Sequence, residues 1–321
     1  MKKIIVVFTS ILMMISISSC ANNNTAINQD DKLQIVTTIF PLYDWTQNIL
    51  GDNPSDIEVT MVLDNGVDLH SYQPTAEDMV KIATCDIFIY IGGESDEWVE
   101  DALKEATNEK MIVLNMLQLL GEDAKEERKE GTEEEEHEHE HEEEYDEHVW
   151  LSLSNAKKLC NEIELAIEKI DSNNIKLYQD NLKAYTDSIS KLDKEFQETI
   201  SSSKQNVLLF GDRFPFRYFV DDYGLDYYAA FAGCSAETEA SFETIVFLSQ
   251  KVDELKLNNV MTIEGTNHKI AETIIQNTKD KNQNILVLDS MQSITAEDIQ
   301  KGISYLSIME KNLQVIKDAL N

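Results

Sequence analysis

Of the 321 residues only four are cysteine, and no two of them form a CxxC pair. After Cys20 an odd three remain, Cys85, Cys160 and Cys234, too widely spaced for a disulfide framework or a structural cysteine–zinc cluster. Cys85 precedes an apolar run and Cys160 falls on the apolar side of a helical pattern, so both read as small buried hydrophobes, while Cys234 lies in a loop. Positive charge is scarce too: 27 Lys and Arg stand against 60 Asp and Glu, a formal net charge of -33. Nucleic acid needs a basic patch and is excluded as a partner, whereas a cationic ligand is favoured. GxSxG does not occur, which removes the common signature of a serine hydrolase, and HExxH spacing occurs only as His137-Glu138-His139-Glu140-His141, inside a low-complexity acidic run rather than on the amphipathic helix a zinc protease needs. The long apolar run, Ile4 to Ile17, is too short to span a bilayer comfortably.

That run has the form of a secretory signal: Lys2 and Lys3 precede it, and Ser18, Ser19 and Cys20 follow. Ile17-Ser18-Ser19-Cys20 resembles a bacterial lipobox, whose cysteine is lipidated and becomes the mature N-terminus. The expectation is a signal peptide over 1–19 and a polar tether over 20–31. The exported chain is then held on the outer face of the cell membrane by acyl chains at Cys20 rather than by a spanning helix.

From Leu33 onward β-branched and helical patterns alternate. Leu33 to Ile39 reads as a strand, followed by a helix opened at Phe40-Pro41 and stopped near Gly51. Strands at Ile57 to Leu63, Ile87 to Ile91 and Met111 to Leu114 follow, with helices between, one of them capped by Thr75 and Asp78. Ser154 is placed to cap a helix with apolar residues at helical spacing, and an uninterrupted pattern from about Ile175 to Ile200 predicts a helix roughly 35 to 40 Å long. Strands at Val207 to Phe210, Leu225 to Phe231, Asn259 to Ile263 and Ile285 to Leu288 complete the pattern with their helices. The predicted fold is α/β: two similar lobes, each a small mostly parallel sheet flanked by helices, joined by a long helix. Lobe boundaries fall at 32–153 and 204–321, with 154–203 as the helical connector.

Between the lobes' first elements lies a segment of another kind. Residues 122–147 hold 16 acidic residues, about half the charge excess, and His137, His139 and His141 alternate with glutamate within it. Such a run stays solvated, yet its imidazoles and carboxylates can collect a divalent cation. In open α/β sheets ligands bind beyond the carboxyl ends of the strands. Four residues stand at such ends or beside the acidic loop: His70, His148, Glu264 and Asp289. His268, at a helix start beside Lys269, reads as surface.

The stretches GVDLHSYQPTAEDMVKI and DEHVWLSLSNA, with LDSM near the end, resemble the metal-binding solute receptors of bacterial ABC importers for zinc and manganese, and the acidic, histidine-rich insert resembles the zinc branch. The likeness covers nearly all of the mature chain. It implies that His70 and His148 are imidazole ligands from the first lobe and Asp289 a carboxylate ligand from the second. Glu264 would be supporting or an additional ligand. It also implies an ABC permease as partner, a monomeric receptor and no catalysis. One position departs from the pattern. Where such receptors carry a histidine or glutamate ahead of an aromatic-x-Tyr-Phe segment, here Phe216-Arg217-Tyr218-Phe219, this chain has Arg213, which stays protonated and cannot ligate. Water, Glu237 or Glu239, Asp212, Cys234 or a loop histidine are the candidates to take that place, or Arg213 neutralises surplus carboxylate in the cleft.

Two imidazoles and a carboxylate favour Zn²⁺, with Mn²⁺ as the alternative cargo. A secreted metallohydrolase, with Glu147 as its nearest candidate base, and a passive zinc buffer using only the loop are the readings of other classes.

Overall fold

The computed structural model describes residues 32–52, 57–127, 145–233, 239–265 and 267–321. The expected signal peptide and tether, the lipidation candidate Cys20, the loop histidines His137, His139 and His141, and the candidates Cys234 and Glu237 lie outside the described residues. From Leu33 to Asn321 the chain forms one compact unit.

The first half runs β1 (Leu33–Thr37), α1 (Phe40–Leu50), β2 (Ile57–Met61), α2 (Ala76–Thr84), β3 (Ile87–Tyr90), α3 (Trp98–Lys104), β4 (Ile112–Asn115) and α4 (Met116–Leu120). The connector comprises α5 (Leu153–Ile170) and α6 (Ile175–Ser201). The second half runs β5 (Val207–Phe214), α7 (Arg217–Tyr223), β6 (Asp226–Ala232), α8 (Phe242–Leu255), β7 (Asn259–Thr262), α9 (Lys269–Asn277), β8 (Asn284–Val287), α10 (Ala296–Gln300) and α11 (Tyr305–Ala319). The strands form two four-stranded sheets in the orders β2-β1-β3-β4 and β6-β5-β7-β8, and all their ladders are parallel. The two-lobed α/β reading therefore holds.

Local signals account for most boundaries. Pro41 opens α1 where its missing N–H costs nothing, and Gly51 closes it at φ +71°. Thr75 and Asp78 form the expected capping box of α2. The cap of α5 is a correction: Ser152, not Ser154, accepts the Asn155 N–H, so that helix starts earlier. The short helices α4 and α10 were not expected, because five residues carry no helical period.

The 27-residue α6 ties the halves together. On its first-lobe side Asn181 donates to the Ile49 and Leu50 carbonyls at 3.0 and 3.3 Å, and Tyr185 donates to Asp44 at 2.9 Å. Toward the second lobe, Asp193 accepts from Tyr223 of α7 at 3.0 Å, and α11 packs along α6. The main core runs through both lobes, with Trp45, Trp150, Tyr178 and Tyr305 fully buried. A second, smaller core lies between the other face of the second sheet and α8 and α9. There Gly211 lets β5 approach α9, since a Cβ would stand 2.5 Å from the Ala271 Cα.

Candidate metal site

His70 and His148 come from segments 78 residues apart and meet at their Nε2 atoms, with the rings tilted by 56°. Their Nε2 atoms are 3.2 Å apart, with ring centroids separated by 5.2 Å. The same local device delivers each of them. Asp68 accepts the His70 N–H at 3.0 Å, and Asp146 accepts the His148 N–H at 2.8 Å, so an aspartate two residues upstream folds each histidine into a tight turn. The Asp-x-His spacing is the sequence signal for both turns.

The other ring nitrogens face away from the pair. His148 Nδ1 lies 3.2 Å from Asp146 Oδ1, and the ring is wholly buried between Trp150 and Gly233, where a Cβ would stand 3.0 Å from its Cε1. His70 Nδ1 lies 2.7 Å from Ser95 Oγ and 3.6 Å from Glu147 Oε2. Burial pushes His70 down to about 3, with the neighbouring His148 adding to the effect, so its imidazole is neutral. Burial also pulls on His148, but the charge and hydrogen bond of Asp146 outweigh it and raise this ring above its usual value. Two nitrogen lone pairs do not face each other at 3.2 Å, so without a metal one Nε2 carries a hydrogen and donates it to the other.

Asp289 follows β8 and is fixed by its backbone: its N–H donates to Asn312 Oδ1 at 2.9 Å and its carbonyl accepts from Asn312 Nδ2 at 2.8 Å. Burial first, then the charge of Glu264, pushes its carboxyl up to about 7. Glu264, after β7, shapes the same loop by accepting from Ser290 N at 2.6 Å, Ser290 Oγ at 2.7 Å and Gln292 N at 3.1 Å. Both its oxygens are thereby occupied. Gln292 in turn adjoins His70, and Trp150 donates to the Ser290 carbonyl at 2.9 Å, so this loop borders the histidine pair. Met291 takes φ +64° within it while buried, a strained backbone for a side chain of that size. Among the described residues no three His, Cys, Asp or Glu side chains converge closely enough to enclose an ion. The structure thus brings His70 and His148 together, pairs Asp289 with Glu264 in the neighbouring loop, and leaves His268 half-buried at the start of α9.

Arg213 sits where the β5–β6 register shifts, and its Nη2 donates to Asp68 Oδ2 at 2.5 Å, joining the second lobe to the His70 turn. Burial alone would raise Asp68, but the guanidinium's hydrogen bond and charge hold it below the usual carboxylate range. Arg213 is thus paired with a carboxylate of the first lobe. Asp212 is used inside the fold: it accepts from Arg213 N at 2.9 Å and Ile263 N at 3.3 Å. Sequence reasoning missed Asp146, Ser95 and Gln292 as partners of the histidines. Asp146 was recoverable from the repeated Asp-x-His spacing; the other two arrive by tertiary packing alone.

Residues 35–319 match the family described as zinc-uptake complex component A, periplasmic. Among curated relatives, the zinc-binding lipoprotein AdcA of Streptococcus pneumoniae is 31% identical over 99% of this chain, which spans 61% of that protein's length. The high-affinity zinc uptake system protein ZnuA of Bacillus subtilis is 30% identical over 95% of this chain and 93% of its own. Among solved structures, the Zn(II)-bound ZnuA-like domain of S. pneumoniae AdcA superposes with a TM-score of 0.70 at 27% identity, covering 90% of this chain and 99% of that one. The metal-dependent lipoprotein YcdH of B. subtilis gives 0.71 at 26% identity, covering 90% and 100%.

Proposed function

The chain belongs to the zinc-uptake complex component A family, and from that premise we propose that it is an extracytoplasmic receptor that captures Zn²⁺ between its lobes and passes it to an ABC importer permease. In this reading His70 and His148 are the imidazole ligands, Asp289 supplies a carboxylate from the second lobe, and Glu264 holds the Asp289 loop in place. Lipid at Cys20 anchors the receptor to the membrane, and residues 20–31 act as the tether. His137, His139 and His141 gather zinc weakly ahead of the cleft. Residues 32–153 and 204–321 are the two metal-binding lobes and 154–203 the connector. The receptor turns nothing over.

One observation carries this reading. Two nitrogens bound to a tetrahedral zinc at about 2.0 to 2.1 Å stand about 3.3 to 3.4 Å apart. The two Nε2 atoms are 3.2 Å apart, so the pair is spaced for the cation with almost no rearrangement. Both Nδ1 atoms are turned toward oxygen partners, which leaves Nε2 as the ligating atom of each ring. Zinc would replace the hydrogen between the two Nε2 atoms, and closing on Asp289 would draw the second lobe in, giving the permease two states to distinguish.

The test is a competitive zinc and manganese titration of the chain, repeated with His148→Ala and with residues 133–141 removed. A single tight zinc site that survives the deletion and disappears in His148→Ala is the expected result. Tight binding that follows the deleted segment and ignores His148 would overturn the cleft assignment in favour of a passive buffer, and manganese binding tighter than zinc would overturn the cargo.

A further inference from the structure

Behind His70, on the side away from His148, lies an acid that neither the fold nor the ligand set requires. Glu147 is 1% exposed, and a carboxylate of that burial is costly to keep. Its Oε1 accepts the Ser95 N–H at 2.8 Å. Its Oε2 is buried, has no hydrogen bond of ordinary length and lies 3.6 Å from His70 Nδ1. Ser95 thus bridges the two groups, its backbone N–H on Glu147 Oε1 and its Oγ at 2.7 Å from the same nitrogen. The backbone makes room for this acid: Gly93 adopts φ +87°, and a Cβ there would lie 2.4 Å from Glu147 Oε1.

The direction of these hydrogen bonds follows from what each group can donate. Glu147 Oε2 and the Ser95 hydroxyl oxygen both stand as acceptors beside His70 Nδ1, an arrangement that favours a hydrogen on that nitrogen. An imidazole with hydrogen on Nδ1 presents its lone pair at Nε2, which is the atom facing His148. We propose that Glu147, with Ser95 beside it, is a positioning residue that fixes His70 as the Nδ1–H tautomer and so keeps Nε2 open to the cation. The consequence for zinc rests on the receptor reading above; the tautomer does not.

The Glu147→Gln substitution reverses the polarity while keeping the shape. Its carbonyl oxygen must stay on the Ser95 N–H, so its NH₂ takes the Oε2 position and points donors at His70 Nδ1. That nitrogen then accepts, and the hydrogen moves to Nε2, where it blocks ligation. Loss of a group that orients a ligating histidine weakens metal binding by about 10- to 100-fold.

The experiment uses three proteins, the wild-type chain, Glu147→Gln and Ser95→Ala, each checked for a cooperative thermal transition. Imidazole ¹⁵N NMR of the metal-free proteins at neutral pH reads the His70 tautomer, and competitive titration with Zn²⁺ reads affinity. The expected result is Nδ1–H in the wild type, a shift to Nε2–H in Glu147→Gln with zinc weakened about 10- to 100-fold, and a smaller shift and loss in Ser95→Ala. An unchanged tautomer in both variants overturns the proposal, as does a shifted tautomer with zinc affinity retained within about twofold of a wild type that binds through His148. Should the wild type itself bind no zinc through His148, the receptor reading falls, and the tautomer measurement still decides the role of Glu147.

Discussion

Asp44 is buried at the junction of the two lobes and their connector, and the substitution Asp44→Asn should make the protein more stable at neutral pH. Its carboxylate accepts from Tyr185 of α6 at 2.9 Å and from Asn48 at 3.0 Å, and the backbone N–H of Tyr305, one of the orphan donors at the start of α11, also reaches it. One acid thus touches the first lobe, the long helix and the last helix. These donors do not compensate for the water it has lost. Burial pushes its carboxyl up from 3.8 to about 6, with Tyr185 and Tyr305 pulling it partly back. Below about pH 4 the group is protonated in both folded and unfolded chains and has no pH-linked effect. Between about pH 4 and pH 6 the unfolded chain loses the proton while the folded one keeps it, so stability falls as pH rises. Above that window the loss is complete, at about 3 kcal/mol for a shift of about two units.

Asparagine keeps an acceptor for Tyr185 and cannot ionise, so it should remove this slope. Urea unfolding in chelator, from about pH 4 to pH 7, gives both stabilities without contribution from bound metal. The difference between variant and wild type should grow by about 3 kcal/mol across that range. At about 2.1 cal/mol/K per residue for the 33–321 unit, this growth corresponds to a change of roughly 5 °C in the Tm difference between the two ends of the range. A difference that stays flat with pH would refute the reasoning, because it would mean that Asp44 ionises as freely in the folded chain as in the unfolded one.

Zinc at about one hundred times its Kd should stabilise the chain by about 2.7 kcal/mol, raising Tm by roughly 4 to 5 °C, and this shift should vanish in His148→Ala and on adding chelator; differential scanning fluorimetry reads both. A double-mutant cycle on Arg213→Met and Asp68→Asn, followed by denaturant unfolding, should give a coupling of about 1 to 2 kcal/mol, since both side chains are about four-fifths or three-quarters covered. A coupling near zero would make the contact incidental. Gly93→Ala should cost about 1 to 3 kcal/mol in chemical denaturation, because φ +87° is unfavourable for alanine and the new Cβ meets the Glu147 carboxylate; an unchanged midpoint would show that the loop can give way.

The architecture was legible because strand and helix periods alternate without ambiguity and the punctuation is local. Pro41, Gly51 and the Thr75–Asp78 box each act within a few residues, and the structure keeps them in those roles. The histidines were legible as candidates, His70 after a strand and His148 beside the acidic loop, and as a ligand pair only through the family resemblance. That they meet at Nε2 depends on β2, β3 and the segment before α5 converging, which no local period encodes. Asp146 repeats a visible spacing. Ser95 does not, since its contact with His70 spans 25 residues and is made by the turn after β3. The Ser152 cap was misassigned because two serines in Ser152-Leu153-Ser154 can each begin a helix; the first won, and its hydroxyl also donates to Asp222 at 2.5 Å.

Arg213 is where sequence and structure together say most. A ligand at that position would have to reach the histidine pair from the second sheet, and Arg213, just past a register shift in β5, does reach the first lobe at Asp68. The guanidinium turns that reach into an ion pair with Asp68, whose other oxygen holds the His70 turn. A fixed cation beside His70 disfavours a second cation there, and its charge already contributes to pushing that imidazole down. The carboxylates around the pair offset this: Asp146 and Glu147 behind the rings, Asp289 and Glu264 in the neighbouring loop. A divalent ion placed between the rings would therefore meet more negative than positive charge. Arg213 stands where the resemblance leads one to expect a ligand, and it fastens through Asp68 the turn that presents His70.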